Sequence, residues 1–268
     1  MNIGIFDSGL GGLIITDALV KAMPQYSYAY MGDTLHVPYG ARSHLAIYGF
    51  TADCVDRMFR DMDCAIIIIA CNTASIAALR KLQQEYLPKN FPDRRILGVV
   101  IPTVEAAVAA GAKRIGLLAT ETTARSGTYS EELLKLDDSA ELFPVAAPLL
   151  VPLIENDGDK FAMPVLEEYV GKFRDKDLDA LILGCTHFPH YKKEITALLS
   201  GVRILSQDEI IPEKLADYFR RHPEMEARIA KTGGRRFFAT DISEPYKAQA
   251  RRLFGKEIEI EKVLANGN

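Results

Sequence analysis

The sequence is poor in cysteine, and the few cysteines follow no scaffold pattern. Only four occur among the 268 residues, which is too few for a disulfide-rich fold. Neither a CxxC spacing nor the paired Cys/His spacing of a zinc site is found. We therefore expect free thiols, no metal site and a cytoplasmic location. The four residues are Cys54, Cys64, Cys71 and Cys185.

Segments typical of other protein classes are also missing. No apolar run approaches the roughly 18 residues of a membrane span. The first residues read as a strand and lack the basic region of a signal peptide. A net charge of -4 leaves no basic footprint for nucleic acid. With 48% hydrophobic and 25% charged residues, the chain has an ordinary globular composition rather than that of a disordered protein.

The chain does contain a regular alternation of strand and helix patterns. Short apolar, mostly β-branched runs predict strands at residues 3–6, 26–31, 65–70, 96–101, 115–119, 180–183 and 203–205. Helical patterns lie between them, at residues 11–23, 42–62, 74–86, 103–110, 126–136, 163–174, 190–199 and 212–221. This alternation predicts an α/β fold with mostly parallel sheets.

The chain also repeats itself, which predicts two similar α/β halves. Residues 3–6 (IGIF) match residues 115–118 (IGLL) at an offset of 112, and Cys71 and Cys185 are offset by 114. The tail from about residue 212 has no counterpart in the repeat. We expect its strand at residues 237–240 and its helix at 244–254 to pack on the first half. The predicted domains are residues 1–97 plus 208–268, and residues 98–207.

Two of the predicted strands each deliver a cysteine to the carboxyl end. Residues 65–70 lead into Cys71-Asn72-Thr73, and residues 180–184 lead into Cys185-Thr186-His187. Open α/β sheets bind ligands beyond the carboxyl ends of their strands. The helix start at Cys71 is expected to lower the pKa of its thiol from about 8.5 toward neutrality. His187 could take or return the proton of Cys185.

Two thiols that form no disulfide suggest proton transfer in both directions. Inverting a carbon with an acidic hydrogen needs a base on one face and a conjugate acid on the other, each with a pKa near the working pH. A cysteine hydrolase using Cys185 and His187 is a second interpretation, which leaves Cys71 unexplained. A small-molecule binding protein with a two-domain cleft is a third, which needs no pair of strand-end cysteines.

Two loops supply further candidate residues. Asp7-Ser8-Gly9-Leu10-Gly11-Gly12 follows a strand, but Ile14 stands where the GxGxxG fingerprint needs its third glycine. Its backbone N–H groups at a helix start suit a carboxylate or a phosphate. Tyr39-Gly40 follows a proline in a stiff loop that offers backbone donors and a phenol. His36 and His44 are expected to be solvated rather than functional.

Together, these motifs resemble in order and spacing the cofactor-independent aspartate/glutamate racemase family, and its glutamate-specific members in particular. The resemblance rests on residues 7–12, 38–40, 71–75 and 184–189, and it covers nearly the whole chain, including residues 148–155. It implies two pseudo-twofold related α/β domains with the active site in the cleft between them. It also implies racemisation of L- and D-glutamate without a cofactor, to supply D-glutamate for peptidoglycan.

The resemblance further implies roles for individual residues. Cys71 and Cys185 would be the proton carriers, acting on D-glutamate and L-glutamate respectively. Asp7 and His187 would assist these thiols, and Glu155 would be a further acidic residue of the site. Positions that would hold the substrate are Asp7, Ser8, Tyr39, Gly40, Asn72, Thr73, Thr186 and His187. A homodimer is one expected form of assembly.

Some positions bear on substrate choice or depart from the family pattern. Aspartate-specific members usually carry Thr-Glu where this chain has Thr186-His187, so glutamate is favoured and another acidic amino acid is the alternative. Residues 35–37, 101–104 and 206–208 differ from the sequences that are usual in the family.

Overall fold

The strands of the computed structural model form two separate parallel sheets. The structure describes residues 1–263. Its strands are β1 (Asn2–Asp7), β2 (Tyr28–Gly32), β3 (Cys64–Ile69), β4 (Arg95–Gly98), β5 (Arg114–Ala119), β6 (Glu141–Ala146), β7 (Ala180–Gly184), β8 (Arg203–Leu205), β9 (Arg235–Ala239) and β10 (Ile260–Lys262). The first sheet has the order β10-β9-β2-β1-β3-β4, and the second has the order β6-β5-β7-β8.

Helices connect these strands and cover the sheets. The α-helices are α1 (Gly12–Ala22), α2 (His44–Arg60), α3 (Asn72–Ala74), α4 (Leu87–Asn90), α5 (Val100–Ala109), α6 (Glu121–Arg125), α7 (Thr128–Leu136), α8 (Leu150–Glu155), α9 (Ala162–Gly171), α10 (Lys192–Leu198), α11 (Gln207–Arg221), α12 (Pro223–Glu226) and α13 (Glu244–Phe254). Two π-helical segments, Ser75–Leu79 and Leu82–Tyr86, join α3 to α4 in one helical stretch. None of the helices described is both long and apolar enough to span a bilayer.

The central strands are buried on both faces, which explains their continuous apolar sequences. Every residue of β3 and of β7 is buried, as expected for parallel strands with helices on both sides. Each sheet has one apolar cluster on each of its faces. The α/β class and the parallel pairing predicted from the sequence are therefore confirmed.

The same strand order occurs in both sheets, so the repeat in the sequence is a repeat in topology. The order β2-β1-β3-β4 in the first sheet corresponds to β6-β5-β7-β8 in the second. The matching residues 3–6 and 115–118 lie in β1 and β5, each next to the strand that ends at a cysteine. The two cysteine-bearing strands β3 and β7 thus occupy equivalent places.

The carboxyl-terminal tail extends the first sheet. Strand β9 pairs with β2, and β10 pairs with β9. Helix α13 buries Ala250 and Phe254 in the cluster that also contains residues of α1 and α11. The exact domain boundaries, residues 1–97 plus 208–268 and residues 98–207, stay a prediction.

Several predicted elements differ from the structure in their bounds, and some observed elements have no predicted counterpart. The strand predicted at residues 96–101 ends at Gly98, because α5 already begins at Val100. The helix predicted at 74–86 is part of the longer stretch over residues 72–90. Strand β6 has no counterpart among the predicted elements, because it is a partly exposed edge strand interrupted by Pro144 and shows no buried apolar run.

Candidate active site

A cavity of about 640 Å³ lies where the carboxyl ends of β3 and β7 face each other. Residues of both sheets line it, and they include ten of the eleven predicted site residues. Those ten are Ser8, Tyr39, Gly40, Cys71, Asn72, Thr73, Glu155, Cys185, Thr186 and His187. Asp7, the eleventh, lies outside the lining set and is 0% exposed. The volume of the cavity is typical of a small-molecule site.

The Cys71 thiol lies at the junction of β3 and the following helix. Its sulfur accepts a hydrogen bond from the backbone N–H of Ala74 (3.5 Å) and lies 3.4 Å from Oγ of Ser8. Burial raises the pKa of the Cys71 thiol to about 12, and the nearby Asp7 carboxyl contributes in the same direction. The expectation that the helix start brings this pKa toward neutrality is therefore wrong, because desolvation outweighs the hydrogen bonds from Ser8 and Ala74.

The Cys185 thiol has a different environment, a chain of titratable side chains. Its sulfur lies 3.8 Å from Nδ1 of His187, and Nε2 of His187 lies 2.8 Å from Oε1 of Glu155. Burial by itself lowers the pKa of His187, but the contacts with Cys185 and Glu155 outweigh it and raise this pKa well above its ordinary value. These contacts favour the protonated form of His187, whose positive charge lies beside the Cys185 sulfur.

Asp7 connects the two halves of the site. The backbone N–H of Gly9 donates to its Oδ1 (2.9 Å), and Oγ1 of Thr186 donates to its Oδ2 (3.1 Å). Burial raises the pKa of the Asp7 carboxyl, while the charge of His187 and the hydrogen bonds from Gly9 and Thr186 oppose this rise. A carboxyl from β1 is thus held by a hydroxyl that follows β7.

The glycine-rich turn after β1 allows this close approach. A Cβ atom built at Gly11 would lie 2.3 Å from Oγ1 of Thr186 and 2.5 Å from Nδ1 of His187. One built at Gly12 would lie 2.5 Å from Cβ of Asp7. These distances are shorter than real Cβ contacts. A glycine at residue 11 therefore lets the second half approach this turn, and a glycine at residue 12 lets the turn pack against Asp7.

Several predicted substrate-binding side chains already have partners within the protein. The Tyr39 hydroxyl donates to Oδ2 of Asp33 (2.6 Å). Asn72 exchanges two 2.8 Å hydrogen bonds with the amide of Gln207. The Thr73 hydroxyl lies 3.0 Å from that of Thr120. The role of these side chains in binding substrate stays a prediction.

The structure adds residues that the sequence analysis misses. Thr120 lines the cavity, and the repeat offset of 112 that relates residues 3–6 to 115–118 also carries Ser8 onto Thr120. That offset is a signal that could have identified it. Asp33, 0% exposed, accepts hydrogen bonds from Tyr39 and Thr240 and contacts His36. His36 is thus paired with a buried carboxylate, in contrast to the expected solvated histidine.

The other cysteines and the arrangement of possible metal ligands complete the description. Cys54 and Cys64 are buried, and all four cysteines are free, as predicted. Within residues 1–263, no group of three or more His, Cys, Asp or Glu side chains is arranged to hold a metal ion.

Comparisons with known proteins identify similar chains over nearly the full length. The family model described as Asp/Glu/Hydantoin racemase matches residues 4–210. A glutamate racemase of Aquifex aeolicus is 36% identical over 262 residues, covering 97% of this chain and 96% of the relative.

Solved structures agree with this match. A glutamate racemase of Francisella tularensis in complex with D-glutamate aligns with a TM-score of 0.88 at 28% identity, covering 99% of this chain and 98% of that one. One from Thermus thermophilus in complex with beta-chloro-D-alanine aligns with a TM-score of 0.82 at 35% identity, covering 98% and 96%. An aspartate racemase of Picrophilus torridus aligns with a lower TM-score of 0.57.

Proposed function

The chain belongs to the Asp/Glu/hydantoin racemase family, and we propose that it interconverts L-glutamate and D-glutamate. The observation that carries this proposal is the pair of thiols, Cys71 and Cys185, at equivalent strand ends of two sheets that line one cavity. Relatives and solved structures that carry the name glutamate racemase, and that match nearly the whole chain, support glutamate as the substrate.

The donors of the cavity suit an anionic amino acid. Among residues 1–263, its lining includes no lysine or arginine, so carboxylate binding would depend on local donors rather than on a fixed cation. The hydroxyls of Ser8, Thr73 and Thr120 and the backbone N–H groups that follow β3 are such donors. The carboxyl groups of Asp7 and Glu155 would attract the substrate ammonium group.

The different surroundings of the two thiols give the first turnover a direction. With its pKa near 12, Cys71 is a neutral thiol at pH 7. The His187 ring lies 3.8 Å from the Cys185 sulfur, close enough to take up its proton. In this proposal Cys185 is the base and Cys71 the acid. With the family's assignment of Cys185 to the L-enantiomer, this is the form that accepts L-glutamate.

The reaction moves two protons and changes no other bond. The Cys185 thiolate removes the α-proton of L-glutamate, whose electron pair remains on the α-carbon and is delocalised into the carboxylate. Cys71 then donates its thiol proton to the opposite face. The products are D-glutamate, a Cys185 thiol and a Cys71 thiolate, so the reverse reaction starts from the form that the forward reaction leaves.

A cofactor-free racemisation assay tests the proposal. Protein dialysed against a chelator and free of pyridoxal absorbance is incubated with L-glutamate or with L-aspartate, and the enantiomers are separated by chiral chromatography. We expect glutamate to reach an equal mixture and aspartate to stay in the L form. No inversion of glutamate, or inversion that returns only with added metal or pyridoxal phosphate, would contradict the proposal.

The physiological role follows from the product. We propose that the D-glutamate supplies peptidoglycan synthesis in the cytoplasm, where free thiols persist. Expression of the chain in a bacterium that requires external D-glutamate should remove that requirement, and expression of a Cys185→Ser variant should not. A homodimer stays part of the proposal, and light scattering on the purified protein measures it.

A further inference from the structure

The carboxyl-terminal helix α13 reaches across to the second half of the molecule. Ala250 and Phe254 are buried in the core of the first sheet, while Leu253 packs against apolar clusters of both sheets. Next to Leu253, Arg252 directs its guanidinium toward the segment that follows α8. Two adjacent tail residues therefore contact the half of the molecule that carries Cys185.

Arg252 makes three contacts with this segment. Its Nη1 donates to Oδ1 of Asp157 (2.8 Å) and to Oδ2 of Asp159 (3.1 Å). Its Nη2 donates to the backbone carbonyl of Ile154. The contacted residues lie on both sides of Glu155, the residue that pairs with His187. The planar guanidinium thus holds the backbone from which the Glu155 side chain projects.

The same contacts extend to the segment that carries His187. Asp159 also accepts a hydrogen bond from the hydroxyl of Tyr191 (2.8 Å) and lies 3.0 Å from Nε2 of His190. Both residues belong to the short helical turn Phe188–Tyr191, which directly follows His187. Asp159 therefore joins the backbone segments of Glu155 and His187, and Arg252 joins this pair of segments to the tail.

We infer that Arg252 is a positioning residue, which holds Glu155 against His187 and so keeps the His187 ring beside the Cys185 sulfur. It touches none of the reacting atoms and acts through Glu155. Its ion pairs are partly exposed, since Asp157 and Asp159 are 81% and 44% exposed. Such pairs contribute little to stability, so losing Arg252 should change the geometry of the site more than the stability of the fold.

The protonation of His187 reports this role directly. Groups facing His187 in the described residues are Cys185, Glu155 and Asp7. If Glu155 is released, His187 loses a hydrogen-bonded carboxylate, and its pKa falls. If Arg252 acted only as a nearby positive charge, its removal would instead raise this pKa. The two explanations predict opposite signs.

The test is an NMR titration of the histidine rings in full-length protein, with the His187 resonance identified by its loss in a His187→Gln variant. We expect Arg252→Met to lower the pKa of His187 by about one unit or more. The matched control is Arg251→Met on the same helix. Arg251 is exposed and pairs only with Glu257 (3.6 Å) among the ion pairs described. An unchanged or raised pKa in Arg252→Met would overturn the inference.

An Arg252→Lys variant covers the case in which Arg252→Met does not fold. The ammonium group of a lysine cannot make all three guanidinium contacts. We therefore expect the pKa of His187 to fall in this variant too, but by less than in Arg252→Met. Near-ultraviolet circular dichroism checks that each variant is folded. This titration needs no substrate, so its result does not depend on whether the proposed racemisation is correct.

Catalysis supplies a second readout, which rests on the proposed function. A glutamate analogue with a leaving group on its β-carbon can eliminate after a single deprotonation. In a Cys71→Ser background, Arg252→Met should slow elimination from the L analogue about tenfold. In a Cys185→Ser background, it should leave elimination from the D analogue within twofold. Equal losses in both backgrounds would contradict a role specific to Cys185. If neither the Cys71→Ser nor the Cys185→Ser variant eliminates the leaving group from the analogue, that result would instead count against the proposed function.

Discussion

The hydrogen bond between Thr186 and Asp7 offers a quantitative test of how the two halves build one site. Its donor and acceptor lie 3.1 Å apart, come from different sheets and are both buried. Valine has nearly the shape of threonine but lacks the hydroxyl, so Thr186→Val leaves the buried Asp7 carboxyl with one donor fewer.

The expected magnitude follows from the cost of an unpaired buried group. Leaving such a group without its partner costs about 1–3 kcal/mol. Because the Thr186 hydroxyl also lies in the cavity, this cost should appear in the free energy of the transition state. A difference of 1–3 kcal/mol corresponds to about a 5- to 150-fold lower kcat/KM.

The assay measures racemisation of L-glutamate by circular dichroism, and Thr186→Ser is the matched control. Serine keeps the hydroxyl and removes only a methyl group, so its kcat/KM should stay within about threefold of that of the unmodified protein. Thermal unfolding of both variants separates a catalytic loss from a loss of fold. Wild-type turnover in Thr186→Val would refute the reasoning, because the bridging hydroxyl would then be dispensable.

Two further predictions address the glycine turn and the Glu155–His187 pair. Gly11→Ala should abolish racemisation, because its Cβ would lie 2.5 Å from Nδ1 of His187, whereas Gly49→Ala on helix α2 meets nothing within 4 Å and should keep full activity. Equal activity of the two would show that the turn tolerates a side chain. Glu155→Gln should lower the raised pKa of His187. The stabilisation from this ion pair is present below the unfolded pKa of about 6.5 and is lost as the pH rises through the raised folded value. Activity through Cys185 should therefore fall off at a lower pH in Glu155→Gln than in the unmodified protein. Glu121→Gln, which also lines the cavity, should keep the wild-type profile; a shift of the same size there would contradict the pairing.

The sequence allows much of the fold to be predicted, because buried parallel strands need continuous apolar runs. The runs that end at Cys71 and Cys185 are buried strands at equivalent places in two sheets. Strand β8 is predicted at its observed bounds, residues 203–205. Strand β6 escapes the prediction, because this partly exposed edge strand contains a proline and lacks an apolar run.

The parts of the site that depend on burial or on distant contacts could not be predicted. A helix start beside Cys71 indicates a lowered pKa, but the sequence does not show the desolvation that reverses the shift. Arg252 reaches a segment nearly one hundred positions earlier in the chain, and no local pattern marks such a contact. One residue of the site could have been predicted from the internal repeat, because its offset of 112 relates Ser8 to Thr120.

The central claim is that Cys71 and Cys185 act on opposite faces of one α-carbon. The most direct measurement compares Cys71→Ser and Cys185→Ser with both enantiomers of a glutamate analogue that carries a leaving group on its β-carbon. Serine is too weak an acid to replace the thiolate as a base near neutral pH, so both variants should lose racemisation while staying folded. Cys71→Ser should still eliminate from the L analogue through Cys185, and Cys185→Ser from the D analogue through Cys71. Full racemisation by either variant, or processing of the same enantiomer by both, would contradict the account.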